Sequence, residues 1–229
     1  MSKKKKQSSV ATKGAGAAKH PQSAAKKSAS KAPIIIGALV VIGIIAGIAM
    51  ANSQGKGAGS GKPQATAEEQ KYIGRLLPTG YEAPKIADAA AYTATVKMTP
   101  AKAKQGAKSV SLAVADVTKN KIVSFDYKRA SGEVIPMVAY VRPSGKVFVG
   151  VSYCIPCKGT AQRIEADGTL TCATCGTKRD PETLVGISGA CKLYPLDEVA
   201  AKLAGNQIVV DNAPLETWTA QPLDRKIGG

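Results

Sequence analysis

The chain has 229 residues, a formal net charge of +16 and one histidine, His20. This length fits one medium-sized domain with extensions. Without another histidine, the rest of the chain cannot build a mixed cysteine–histidine metal site, a Rieske cluster with two histidine ligands or a Ser-His-Asp triad. No phosphate-binding glycine-rich motif occurs either. The residue inventory therefore argues against classical hydrolysis and against phosphate or dinucleotide chemistry.

The first segment, residues 1–31, carries nine lysines and no acidic side chain. Such a composition cannot bury enough apolar surface to fold, which predicts a disordered basic tail. A tail that binds nucleic acid is one interpretation, but the segment that follows favours a role in membrane topology. We therefore expect no nucleic-acid partner.

Residues 32–51 are twenty uncharged, mostly apolar residues. At about 1.5 Å per residue they span the ~30 Å hydrocarbon core of a bilayer, which predicts one transmembrane helix. Because lysine-rich flanks stay in the cytoplasm, the tail is expected on the cytoplasmic side of the cell membrane, in contact with anionic lipids. The C-terminal part is then expected on the extracytoplasmic side. The alternative is cleavage by signal peptidase after Ala51, since Ala49-Met50-Ala51 resembles its site.

The remaining chain is expected to be α+β and mostly β. Residues 52–67 are a flexible linker, rich in Gly, Ser and Ala, and residues 68–108 a lead-in with a short helix at 68–77 and an edge strand at 92–98. From residue 109, alternation of apolar and polar side chains predicts a β-rich domain extending to residue 229. Short turns join the first four predicted strands into an antiparallel meander, with strands at 109–117, 122–128, 134–141 and 146–153. A hairpin at 161–171, a helix at 196–204 and a strand at 208–210 follow, and Trp218 is expected to be peripheral.

All five cysteines lie in one stretch that begins where the fourth predicted strand ends. Two Cys-x2-Cys turns, Cys154 with Cys157 and Cys172 with Cys175, can bring four thiolates to about 2.3 Å from one ion. This spacing predicts that these four residues are metal ligands. Two alternatives remain open: two disulfides with one thiol left over, and a thiol-disulfide exchange centre at the first pair.

The fifth cysteine, Cys191, is expected to take part in cofactor binding. It could be an alternative or bridging ligand, a thiol that controls access, or a small buried residue. Five basic residues flank the cysteines and could offset the net charge of about −2 on a four-thiolate metal site. They are Lys158, Arg163, Lys178, Arg179 and Lys192.

The stretch from 134 to 210 resembles the FtrD-like membrane iron-sulfur protein domain. The resemblance rests on a strand that enters Cys154-x2-Cys157, a polar hairpin into Cys172-x2-Cys175-Gly176, and Gly186-Ile-Ser-Gly-Ala-Cys191 followed by Tyr194-Pro195-Leu196. It implies that the five cysteines bind a metal centre in a membrane-anchored, extracytoplasmic protein of bacterial iron transport. The order of strand, cysteine turn, hairpin and second cysteine turn is also similar to a Rieske domain with cysteines in place of histidines, so a Rieske-like or rubredoxin-like β fold is expected.

The expected function is electron transfer or iron handling beside a membrane transporter or reductase subunit. The expected cofactor is an iron-sulfur cluster or mononuclear iron, with zinc as the alternative. Zinc would make the domain a structural zinc-ribbon module for protein interaction, and the second alternative is a thiol-disulfide exchange protein.

Overall fold

The computed structural model describes residues 62–223, which lie within the compact unit Gly57–Gly229. The predicted tail at 1–31, the predicted transmembrane helix at 32–51 and most of the predicted linker lie outside the described residues. Among residues 62–223, no helix is long and apolar enough to cross a membrane.

The described chain is mostly β, as predicted, with three short helices. The helices are α1 (Ala67–Gln70), α2 (Val114–Asn120) and α3 (Ala213–Glu216). The strands of the N-terminal part are β1 (Val96–Lys97), β2 (Thr99–Pro100), β3 (Lys104–Gln105), β4 (Ser109–Ala113), β5 (Ile122–Lys128), β6 (Val134–Val141) and β7 (Val147–Val151). Those of the C-terminal part are β8 (Gln162–Ile164), β9 (Leu170–Cys172), β10 (Lys178–Arg179), β11 (Gly186–Ser188), β12 (Ala201–Ala204) and β13 (Gln207–Asp211).

These strands form three sheets, which we call the outer, central and cysteine sheets. The outer sheet has the order β12-β13-β4-β3, the central sheet β2-β5-β6-β7, and the cysteine sheet β1-β8-β9-β10-β11. All pairings are antiparallel except that of β2 with β5. The central sheet packs one face into a hydrophobic cluster with β4 and β13, and the other into a cluster with Ile164 and Leu170 of the cysteine sheet. Burial on both faces explains why every residue of β7 is buried.

The predicted strand at 109–117 is wrong beyond Ala113, where α2 begins. The alternation of buried and more exposed residues also ends there, because the next buried residue after Leu112 is Val117, not Val114. The hydroxyl of Thr118 donates to the carbonyl of Val114, one helical turn back. Since α2 carries the chain from the outer to the central sheet, the meander has three strands, β5 to β7, instead of the four predicted.

The helix predicted at 196–204 is also wrong. Residues 196–200 are extended beside β7, where Val151 donates its N–H to Asp197 and Val199 donates its N–H to Val149. Residues 201–204 are β12, paired with β13. Gly205 is a residue at which a helix can end, but backbone pairing with the central sheet and with β13 decides the conformation of this segment.

Two buried carboxylates fasten the ends of the described chain to the sheets. Asp197 accepts hydrogen bonds from Arg75 at 2.6 Å, from the indole of Trp218 at 2.7 Å and from Gln221 at 2.8 Å. Trp218 is therefore buried in the core and is not peripheral, which corrects the prediction. Glu69 of α1 caps its own helix and accepts the N–H of Gly186 in β11 at 2.8 Å.

The turn between β6 and β7 requires glycine at position 145. Gly145 has φ of +81°, and a Cβ there would overlap the carbonyl oxygen of Ala87 and lie 2.9 Å from that of Asp88. We expect Gly145→Ala to lower the free energy of unfolding by about 2 kcal/mol or more in chemical denaturation. The positive φ and the clash with backbone carbonyl groups both destabilise the folded state of this variant. The control is Gly132→Ala, which has φ of +91° but open space around the new Cβ. Equal losses for the two variants would contradict the clash.

Candidate metal centre

The first cysteine turn leaves the central sheet at the end of β7. Cys154 forms a β-bridge with Gly159, and its N–H donates to the Gly159 carbonyl at 2.8 Å. The N–H of Gly159 in turn lies 3.4 Å from the sulfur of Cys157. A Cβ at Gly159 would lie 2.5 Å from Thr174 Oγ1 and 3.0 Å from Cys172 Sγ, so glycine allows the two cysteine turns to approach each other.

The second cysteine turn joins the paired strands β9 and β10, whereas the first lies between β7 and β8, which belong to different sheets. The N–H of Cys172 donates to the carbonyl of Thr177 at 3.0 Å, and Gly176 turns the chain with φ of +71°. The backbone N–H groups of Thr174 and Cys175 point back at the sulfur of Cys172. Such donors stabilise a thiolate and fix its orientation.

Cys191 reaches the same place from the edge of the cysteine sheet. It follows β11, which pairs with β10, and its N–H donates to the hydroxyl of Thr177 at 3.1 Å. Thr177 is fully buried, and its hydroxyl oxygen lies 3.3 Å from the sulfur of Cys175. Thr177 thus connects the second cysteine turn to the fifth cysteine.

The structure brings all five sulfurs together as free thiols. The sulfurs of Cys154, Cys157, Cys175 and Cys191 all lie within 4.8 Å of one another and form a group that could hold a metal ion. Cys154 and Cys175 are 3.9 Å apart, and Cys157 and Cys172 are 3.7 Å apart. Sulfurs that surround one ion tetrahedrally at about 2.3 Å are about 3.8 Å apart, so this spacing fits a single four-coordinate ion.

Hydrogen bonds and burial give the thiols unequal acidity. The hydrogen bond between Cys154 and Cys172 raises the pKa of Cys154 and lowers the pKa of Cys172, which also accepts backbone N–H groups. Burial raises the pKa of Cys157 to about 11. Burial would raise the pKa of Cys175 as well, but the hydroxyl and N–H of Thr177 lower it below its ordinary value. Part of the cluster is thus predisposed to carry the thiolate charge that a metal requires.

One basic residue, Arg179, is fully buried against the sulfurs. Its Nη2 lies 3.6 Å from Cys154 Sγ and donates to the carbonyls of Cys191 at 3.1 Å and Tyr194 at 2.8 Å. Its Nη1 is buried without a hydrogen-bond partner in the described structure. The ion pairs found among residues 62–223 all use other basic residues.

A buried guanidinium without a carboxylate is costly unless another anion compensates it. The nearest groups able to carry negative charge are the thiols. A four-thiolate metal site, with its net charge of about −2, meets this need. The donor set of thiols and the charge of Arg179 therefore both fit a metal–thiolate centre.

The other flanking basic residues are placed differently. Arg163 pairs with Glu165 at 2.5 Å, and Lys178 pairs with Asp167 at 2.6 Å. Lys158 and Lys192 are exposed at the rim of the site. Only Arg179 among the five contacts a sulfur in the hydrogen bonds of the described residues.

Sequence reasoning missed two polar residues of the site, Thr177 and Gln162. Gln162 lies directly opposite Cys172 in the β8–β9 hairpin, and both of its buried amide atoms have no hydrogen-bond partner within residues 62–223. The alternation of β8 would have placed Gln162 on the same face as the buried Ile164. Nothing in the sequence distinguishes Thr177 from the other threonines around the cysteine turns.

The hydroxyl of Thr177 provides a direct test of the surroundings of the sulfurs. We expect Thr177→Val to weaken metal binding about 10-fold, because the N–H of Cys191 and the sulfur of Cys175 both lose a partner of the kind that tunes metal ligands. Thr174→Val is the matched control, since Thr174 is exposed and its contribution to Cys172 comes from the backbone. Competition with a chromogenic chelator measures both affinities. Unchanged affinity in Thr177→Val would show that the hydroxyl has no such role.

The fold and site define a β-rich domain with a buried cluster of cysteines able to hold a metal. Residues 117–221 match the family described as "Membrane iron-sulfur containing protein FtrD-like". This match confirms the resemblance predicted from the cysteine order, and it covers somewhat less than half of the 229 residues. No curated protein and no solved structure matches the chain.

Proposed function

We propose that the protein is a membrane-anchored metalloprotein whose cysteine cluster carries iron for electron transfer or iron handling. The observation that carries this proposal is the convergence of five thiols around a buried, carboxylate-free Arg179. The match to an iron-sulfur family supports iron as the metal. When bound, iron would supply a one-electron redox couple, which soft thiolate ligands stabilise.

The residues proposed to hold the metal are Cys154, Cys157, Cys172, Cys175 and Cys191. Their backbone N–H donors would orient the sulfurs, while Arg179 would neutralise part of the thiolate charge. The two cysteine turns would act as rubredoxin-like knuckles, because N–H groups of each turn point back at a sulfur of the same turn. The observed sulfur spacing favours a mononuclear centre over a cluster, whose iron and sulfide atoms would hold the cysteines farther apart.

We further propose that residues 32–51 anchor the protein as a single membrane-spanning helix. The lysines of residues 1–31 would face the cytoplasm, and the metal domain would stand outside the membrane on the linker at 52–67. The membrane description of the matched family and the uncharged twenty-residue run support this placement. A membrane transporter or reductase subunit would be the partner.

Partial solvent exposure of two ligands supports the electron-transfer role. Cys157 and Cys175 are only half-buried, whereas Cys154 and Cys172 are fully buried. Around them lie exposed residues of the two turns, which include Pro156, Ala173 and Thr174. A partner that docks on this rim would approach the metal through a sulfur.

Anaerobic purification of the full-length chain tests the proposal. We expect a coloured protein that contains iron, with visible absorption that bleaches on reduction and returns on oxidation. A colourless protein with one zinc would contradict the iron-based role and establish the structural zinc module, which the sulfur spacing fits equally well. A metal-free protein with a titratable Cys154–Cys157 disulfide would instead establish thiol-disulfide exchange.

A further inference from the structure

The cluster holds five sulfurs, although one tetrahedral ion binds four. Three of them, which we call the shared sulfurs, lie near both remaining cysteines. They belong to Cys154, Cys157 and Cys175.

The remaining cysteines, Cys172 and Cys191, contact the shared sulfurs from different sides. Cys172 lies 3.7 Å from Cys157, and it is close enough to Cys154 and Cys175 for their sulfurs to affect its pKa. Cys191 completes a group with the shared sulfurs in which all sulfurs lie within 4.8 Å, and Cys172 is outside that group. Since Cys172 interacts with the other three sulfurs, Cys191 is the member of the group from which it is most distant. The five sulfurs therefore outline two four-sulfur sites with one face in common.

Two tetrahedra that share a face, with ligands at about 2.3 Å, have centres only about 1.5 Å apart. Two cations cannot occupy both centres at that separation. We propose that Cys172 and Cys191 are alternative fourth ligands of one metal ion held by the shared sulfurs. This inference rests on the proposed function, of which it specifies the ligand set.

The surroundings of the two cysteines fit an exchange between them. Cys172 is held in the β8–β9 hairpin opposite Gln162, whose buried amide lacks a partner in the described chain and lies on the face of the hairpin that carries Cys172. A rotation of that amide would let it hydrogen-bond the sulfur of Cys172 when Cys172 is not a ligand. Cys191 instead follows residues 187–190, all exposed, in which Gly189 has φ of +101°.

The exchange balances without an external reactant. One metal–sulfur bond forms as the other breaks, and the proton of the incoming thiol passes to the released sulfur, so no electron moves and the net charge is constant. The exposed segment before Cys191 can then move away from the cluster while the ion keeps four thiolate ligands.

Cobalt substitution of the full-length chain tests this exchange, because sulfur-to-cobalt charge-transfer absorbance per bound Co²⁺ counts the thiolate ligands. We expect Cys172→Ser and Cys191→Ser each to keep the full absorbance, since the other cysteine takes the vacated position. The double variant should lose about a quarter of it, because one of four thiolates is gone. Cys157→Ser is the matched control and should also lose about a quarter, since Cys172 and Cys191 cannot join the same tetrahedron.

A loss of absorbance in only one of the two single variants would overturn the exchange and assign that cysteine as the fixed fourth ligand. A protein that carries several irons with sulfide would also overturn the exchange, but it would leave the proposed function intact. Failure of the unmodified chain to bind Co²⁺ or iron would overturn the proposed function and this inference together.

Discussion

Arg179→Met is expected to weaken metal binding about 10- to 100-fold, the range typical of residues that support metal ligands. The substitution keeps an apolar side chain of similar length but removes the only buried cation in contact with a sulfur of the described cluster. The thiolate charge then loses its compensation. If iron is bound, its reduction potential should also fall, because an added electron is no longer stabilised by the guanidinium.

Two further variants separate the charge of Arg179 from its packing. Arg179→Lys keeps the charge and should recover part of the affinity and potential, although it cannot reproduce the fork that binds the carbonyls of Cys191 and Tyr194. Arg163→Met, on β8 of the same sheet, removes an arginine that pairs with Glu165 and should change neither quantity. Chelator competition measures the metal affinity, and redox titration measures the reduction potential. A potential that stays constant in Arg179→Met would contradict the electrostatic role.

Removal of the metal by a chelator is expected to lower the free energy of unfolding by several kcal/mol without unfolding the whole domain. Metal–thiolate binding contributes on the order of 10 kcal/mol to stability where the metal also orders its site, and this contribution is lost when the ion is removed. The two large hydrophobic clusters around the central sheet contain no cysteine and remain. Protection of backbone amides from hydrogen exchange should therefore fall mainly in residues 154–191.

The pH dependence of metal binding has a definite sign. Binding converts thiols to thiolates and releases protons, so the affinity and the added stability should rise as the pH rises and fall on acidification. Thermal denaturation with and without chelator at several pH values measures this difference. Identical melting temperatures with and without chelator at neutral pH would show that the cysteines hold no stabilising metal.

Two central strands could be predicted from the sequence to the residue. β5 and β6 have the predicted bounds because their alternating and apolar segments end at turn residues. The errors at 114–117 and 196–204 have another cause. There the local spacing of apolar residues was ambiguous, and pairing with strands distant in the chain decided the conformation.

The candidate site could likewise be predicted only in part from the sequence. Cysteine spacing indicated that the thiols would meet, because a Cys-x2-Cys turn constrains its own two sulfurs. Which basic residue would contact them could not be predicted, since the burial of Arg179 depends on β10 lying between β9 and β11. Thr177 was missed for a related reason: a single threonine in a turn has the same sequence signature whether it is solvated or buried. Gln162 could have been placed on the buried face from the alternation of β8.

X-ray absorption spectroscopy at the edge of the bound metal tests the central claim most directly. We predict a first coordination shell of four sulfurs at about 2.3 Å in the anaerobically purified protein. A shell dominated by oxygen or nitrogen, or cysteines found paired as disulfides, would contradict a thiolate metal centre.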